Sequence, residues 1–274
     1  NVFHMNTSEY YSRGVNYKSF GFDNYYGLKD TSKYHNNTDY WLDRELIFNN
    51  VFNKFIFNNE GLSMSFIITY SAHMPYKTTR GTCSMLTKEQ GLTEYECLKL
   101  QAKETDYFMS LLLENLEKKN MLDNTIIMAF TDHYLYTLED KSLLDKYKVT
   151  ENNLINKTPF FIWSNGDYKK TVKKTNSQLD ILPTILNLFG IEYYSNYYIG
   201  NDILDPSYQE LVFFPDGSWY DGKSYIANGE YQFGRKININ KLNENNVNVK
   251  RKMTLNDAVM KSNYFNNLSK RDVN

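Results

Sequence analysis

Three of the four histidines in this 274-residue sequence stand just after short apolar runs. His4 follows Val2-Phe3, His73 follows Ser65 to Tyr70 (SFIITY) after Ser71-Ala72, and His133 follows Thr125 to Phe130 (TIIMAF) with Asp132 beside it. A carboxylate and an imidazole leaving a strand together offer O and N donors, a set suited to Zn, Mn or similar divalent ions rather than calcium. Neighbouring side chains on an extended strand point to opposite faces, so Asp132 and His133 reach one ion only where the strand breaks into a loop. Two ligands are too few, and others must come from elsewhere. Each histidine alone has a plainer reading as a hydrogen-bonded structural group, and Asp132–His133 as a polar turn. Together, His4, Arg13 and His73 form a candidate anion pocket beside a metal, with the fork of donors on Arg13 shaped to grip a phosphate or sulfate. His35, in a polar loop, reads as incidental.

The elements that would carry these residues are legible as apolar runs. SFIITY, TIIMAF and Pro159 to Trp163 (PFFIW) are continuously apolar, as expected of buried parallel strands covered on both faces by helices. Between the first two lies a helix over Leu98–Lys119, with Leu100, Tyr107, Phe108, Leu111, Leu112 and Leu116 on one face and Asn120 suited to closing it. Strand, crossover helix and strand build a parallel sheet, and ligands in such sheets bind at the carboxyl ends of the strands. A second helix is expected in SQLDILPTILNLFGIE. Asp180 would cap it, Pro183 would sit in its first turn and Gly190 would end it; Leu182, Ile185, Leu186 and Phe189 would be buried. Beyond about Pro206 the DG and NG pairs signal hairpins. A polar Asn-rich stretch, 238–248, then leads to a last helix near 254–268. The expected organisation is a core over 1–205 and a small α+β subdomain over 206–274.

Hydrophobic residues make up 41% of the chain and charged residues 23%, an ordinary globular balance. The net charge of −1 gives no electrostatic case for nucleic acid or an anionic membrane surface. No apolar run approaches the roughly 20 residues that span a bilayer. The abrupt opening, Val2-Phe3-His4, reads as the tail of a strand already under way in something longer. Cys83 and Cys97 read equally well as a disulfide or as two free thiols.

Seven blocks in order carry a resemblance: FHMNTSEYYSR (Phe3 to Arg13), SFGFDNYYG (Ser19 to Gly27), DYWLDRELI (Asp39 to Ile47), FIITYSAHMPY (Phe66 to Tyr76), LDNTIIMAFTDHY (Leu122 to Tyr134), PFFIW and LDILPTILNLFGI (Leu179 to Ile191). They are similar to the lipoteichoic acid synthases, phosphoglycerol transferases of the sulfatase-like, alkaline-phosphatase superfamily. The tail, FFPDGSWYDGKSYIANGEY followed by TLNDAVMKSNYF, resembles that family's C-terminal subdomain. The fold the resemblance implies is α/β, a mostly parallel central sheet flanked by helices. Asp132 and His133 are then metal ligands, for Mn2+ with Mg2+ or Zn2+ as substitutes. His4, Asn6, Tyr11, Arg13 and His73 line a glycerophosphate pocket, and His73 and Arg13 are the catalytic candidates. Asn6 stands where the family often has an acid, and Tyr11 where tryptophan is common.

The resemblance further implies transfer of glycerophosphate from phosphatidylglycerol to a polyglycerophosphate or glycolipid acceptor, through a covalent threonine. That threonine and an acidic metal ligand are expected upstream of this chain, which alone would be inactive. The site would work on the outer face of the bacterial cytoplasmic membrane, anchored by preceding helices. Two other readings compete: a sulfatase, phosphodiesterase or phosphoethanolamine transferase on the same scaffold, and a non-catalytic fragment that binds glycerophosphate.

Overall fold

The computed structural model describes residues 1–34, 41–57, 61–145, 156–166 and 169–269. His35 lies outside them. The chain divides into two compact units, Asn1–Asp167 and Tyr168–Asn274, so the expected boundary near residue 205 falls inside the second.

The first unit runs β1 (Val2–His4), α1 (Arg13–Ser19), β2 (Tyr25–Tyr26), α2 (Leu28–Thr31), α3 (Glu45–Phe48), α4 (Val51–Phe55), β3 (Phe66–Ile68), α5 (Gly81–Leu86), α6 (Glu94–Lys118), β4 (Ile126–Phe130) and β5 (Phe160–Ser164). β1 lies between β2 and β3 in a parallel sheet, with Val2 opposite Tyr25 on one side and Phe66 on the other. As its middle strand β1 is wholly buried. Phe3 and Met5 pack with Trp41, Leu46, Phe52, Phe108 and Leu116, so the core fills the space between this sheet and α6.

α6 shows how a sequence sets a helix and what then rotates it. Thr93 and Glu96 close a capping box at its start, and Asn120, at φ 55°, follows its end in the left-handed conformation. The buried face is Cys97, Gln101, Glu104, Phe108, Leu111, Leu112 and Leu116, one continuous stripe at three- and four-residue spacing. Leu100 is only half-buried and Tyr107 is exposed, against expectation. The polar half of the stripe explains the difference. Cys97 is bonded to Cys83, and Gln101 and Glu104 turn inward to hydrogen-bond partners. Tyr107 instead lies beneath the Arg44 guanidinium, 5.4 Å from its ring centre.

The expected direction of the third strand is corrected. β5 runs antiparallel to β4, with Ile126 opposite Ser164 and Phe130 opposite Phe160. Nor are these strands buried: Ile126, Phe130, Phe161 and Ile162 are exposed. A continuous apolar run specifies neither strand direction nor which neighbour covers it. β4 is tied to the first sheet by Phe66 and Phe130, whose ring centres are 6.4 Å apart.

The second unit holds α7 (Ile181–Leu188), an antiparallel sheet of β6 (Val212–Phe213), β7 (Trp219–Tyr220), β8 (Ser224–Ala227) and β9 (Glu230–Gly234), and helices α8 (Ile239–Lys261) and α9 (Tyr264–Ser269). Asn228 and Gly229, at φ 53° and 78°, make the β8–β9 turn with the backbone that an NG pair favours. α7 buries Ile181, Pro183 and Thr184, while Leu182 and Phe189 are exposed. Its rotation is fixed by polar groups. Thr184 Oγ1 donates to Asp180 O and accepts from Ile203 N–H, and Asp180 Oδ1 accepts from Asn201 N–H. The Asn-rich stretch is helical, because Asn238 caps α8 and Val249 packs with Trp219 and Ile226. Packing overrides the weak helix propensity of asparagine.

Candidate active site

The strand-end residues gather on the first unit. His4 ends β1 at 5% exposure. Its Nδ1 accepts the Asn6 N–H at 3.3 Å, which leaves the ring proton on Nε2. Burial, then the charges of Arg13 and His73, pushes its pKa down to about 4, so His4 is neutral near pH 7. The Tyr10 ring stacks at 6.2 Å from His4, and the Arg13 guanidinium lies 5.8 Å from the centre of the same Tyr10 ring. Between them the backbone turns sharply: Tyr11 and Ser12 are both left-handed, at φ 50° and 53°. Asn16 Nδ2 holds that turn by donating to Tyr11 O at 3.1 Å. Tyr11 is 74% exposed, whereas Asn6 and Arg13 are half-buried.

Asn6 is located by its backbone. Its carbonyl accepts from Leu28 N–H at 3.1 Å. A Cβ on Gly27 would come within 2.6 Å of that carbonyl oxygen, so Gly27 is the residue that permits the approach.

The other side is built from two loops. His73 is exposed, stacks on Tyr70 at 5.6 Å and places Nδ1 at 2.9 Å from the carbonyl of Met74. His133 repeats the device, with Nδ1 at 2.8 Å from the Tyr134 carbonyl. A carbonyl only accepts, so both rings carry a proton on Nδ1, and in the neutral form the lone pair is on Nε2. His133 Nε2 is 3.6 Å from Asp132 Oδ1. The His73 and His133 rings are 6.4 Å apart, and Tyr136 meets His133 edge-on at 4.8 Å. His73 acts electrostatically on His4, and Tyr136 on Tyr10, so the two sides lie within electrostatic reach of each other.

Both loops rest on a second cluster: Tyr76, Leu138, Leu144 and the Cys83–Cys97 disulfide, with Met74, Tyr134 and Leu135 packed on it. The pairing that the sequence left open is therefore made, beneath the loops that carry His73 and His133.

Asp132 and His133 have the chemistry of a metal-ligand pair: one oxygen, one nitrogen with its lone pair oriented by a hydrogen bond at the far side of the ring. They fit as two ligands. Among the described residues no group of three or more His, Cys, Asp or Glu is arranged around one ion.

Residues 1–191 match the family described as Sulfatase. The chain belongs to the sulfatase family. Within it, the chain is like lipoteichoic acid synthases. It is 24% identical over 272 residues to lipoteichoic acid synthase 2 of Bacillus subtilis, covering 94% of this chain and 41% of that protein. It is 25% identical over 264 residues to the lipoteichoic acid synthase of Staphylococcus saprophyticus, covering 89% and 38%. The chain thus spans about two fifths of these relatives. The fold matches that of the lipoteichoic acid synthase LtaP from Listeria monocytogenes at a TM-score of 0.75, with 18% identity over 95% of this chain and 69% of that one. A protein in the alkaline phosphatase superfamily from Vibrio parahaemolyticus matches at 0.65, with 16% identity over 96% and 65%.

Of the sulfatase-family chain's candidate residues, the structure brings His4, Tyr11, Arg13, His73, Asp132 and His133 to this surface, with Asn6 adjoining His4 through the backbone. Tyr10, Tyr70 and Tyr136 were missed in the sequence. Their signal was faint: each lies within three residues of a candidate histidine or arginine, in a protein where 24 tyrosines dilute any one.

Proposed function

We propose that this chain is the glycerophosphate-handling part of a phosphoglycerol transferase. The substrate is phosphatidylglycerol, the acceptor a lipoteichoic-acid-type polymer or glycolipid, and the covalent carrier a threonine outside this sequence. The observation that supports it most is the grouping of Arg13, the exposed His73 imidazole and the Asp132–His133 pair among tyrosines, in a chain whose relatives are named lipoteichoic acid synthases.

Arg13, at the first turn of α1 and steadied over the Tyr10 ring, meets the phosphoryl oxygens. His4 stays neutral and donates through Nε2, a fixed hydrogen bond suited to a glycerol hydroxyl or phosphoryl oxygen. His73 presents an Nε2 lone pair. Its role is to take a proton from the acceptor hydroxyl, and in the other half-reaction to return one to the leaving alkoxide. The lowered pKa of His4 is what favours His73 over it for this work. Asp132 and His133 would hold Mn2+, which when bound would supply Lewis-acid stabilisation of charge on the phosphate. With this substrate and acceptor the protein would work at the outer face of a bacterial cytoplasmic membrane. Among the described residues no helix is long and apolar enough to cross one.

Calorimetry with sn-glycerol 1-phosphate and with a sulfate monoester, with and without Mn2+, tests the reading. The phosphate should bind, more tightly with Mn2+, and His133→Ala should abolish both the Mn2+ signal and that gain. Preference for the sulfate ester would move the assignment to a sulfatase. Binding of neither ligand would overturn it.

A further inference from the structure

The turn that carries His73 is gripped by two buried polar side chains, Asp43 and Gln101, that the proposed chemistry does not use. Asp43 is 1% exposed, and its carboxylate accepts backbone N–H groups from Tyr70 and Ser71 at 2.9 and 2.8 Å. The bond is reciprocated, since Ser71 Oγ accepts the Asp43 N–H at 2.8 Å. Gln101, fully buried on α6, donates from Nε2 to the carbonyls of Ser71 and His73 at 3.0 and 2.8 Å. One turn further along the helix, Glu104 pairs with Arg44 at 2.8 Å and accepts its N–H at 3.2 Å, which fixes the segment carrying Asp43 to the same helix.

A fully buried carboxylate is costly, and a turn needs none in order to close: His73 N–H already donates to Tyr70 O at 2.8 Å. Burial pushes the Asp43 carboxyl upward, while the Tyr70 and Ser71 donors oppose this. What the arrangement provides is direction. Asp43 fixes the two amides before Ala72 and Gln101 fixes the carbonyls on either side of it, so the Cα–Cβ bond of His73 is left little freedom. We propose that Asp43 and Gln101 are positioning residues for His73, holding its imidazole against Tyr70 and toward His133 in the geometry that proton transfer needs. The proposal rests on the reading of His73 as the group that moves the proton.

His133 is the internal control, because its ring is held by the Tyr134 carbonyl and by none of this network. In protein labelled with 13C and 15N at its four histidines, Asp43→Asn and Gln101→Leu should each shift and broaden the His73 ring signals much more than those of His133. Affinity for sn-glycerol 1-phosphate should fall about tenfold while Mn2+ affinity holds. A His73 ring unmoved in a folded variant, or His73 and His133 rings moved alike, would overturn the proposal. If neither variant folds, amide exchange in the wild type decides. The Tyr70 and Ser71 amides should be protected by at least about 100-fold, and exchange at the unprotected rate would end the idea. A wild type that ignores glycerol phosphate would count against the functional reading and leave the ring-signal test standing.

Discussion

On one side of the candidate site, His4 ends a buried central strand and is held neutral by the protein around it. On the other, His73 and His133 stand exposed on loops, each ring turned by the carbonyl of the next residue. The same side chain is thus given two chemistries by its supports. A strand in the core keeps the imidazole neutral near pH 7, with its proton on Nε2. A loop clamped from beneath leaves the ring exposed, with Nδ1 turned to a backbone carbonyl. The supports differ as well: an apolar core under the first, a disulfide cluster and a polar network under the second.

The comparison can be broken most forcefully at the apolar core. Phe108→Ala, which empties a position packed against Phe52, should cost about 3–5 kcal/mol of unfolding free energy, read from urea titration. A cost below about 1 kcal/mol would mean that α6 does not carry the His4 side. Reducing the Cys83–Cys97 bond, which spans 14 positions, should cost somewhat less, about 3 kcal/mol. Its local effect should be one-sided. Amide exchange should quicken around His73 and Tyr134 and stay slow in β1; equal quickening of both would erase the distinction between supports.

Arg13→Ala should weaken sn-glycerol 1-phosphate binding by about tenfold or more, since a charge-assisted pair contributes roughly 1.5–3 kcal/mol. Unchanged affinity would remove Arg13 from the pocket. The smallest effect is the pH dependence of His4. Its pKa is about 4 folded against 6.5 in the unfolded chain, so as pH falls the unfolded state takes up the proton first. The stabilisation is complete above pH 6.5 and lost between there and about 4. After allowance for solvent screening it amounts to about 1–2 kcal/mol. Asp43, pushed upward by burial, acts with the opposite sign, so the quantity to measure is wild type minus His4→Gln. A difference that is flat across the window would contradict the buried, neutral His4.

The sequence made the strand ends and their histidines legible because apolar runs and rare residue types are local signals. Three histidines after three such runs could be read without knowing where the strands lie. The direction of β5, the exposure of Phe161 and the rotation of α6 were not legible. All three depend on what covers an apolar face, and in α6 on Gln101 and Glu104, whose partners are 28 and 60 residues away. Polar residues on a helix read as solvent-facing until their distant partners are known. Tyr10 and Tyr136 escaped for a different reason, being single members of an abundant residue type.

Gly27 sets a limit on how this protein can change. With 2.6 Å between an added methyl carbon and the Asn6 carbonyl oxygen, any side chain at that position presses on the segment leading from His4 to Arg13. Substitution there would be felt as altered ligand grip at a distance of some twenty positions along the chain, while the residues at the surface itself stayed as they are. A survey confined to groups within reach of the ligand would overlook a position where the smallest addition of matter presses on the segment that carries them.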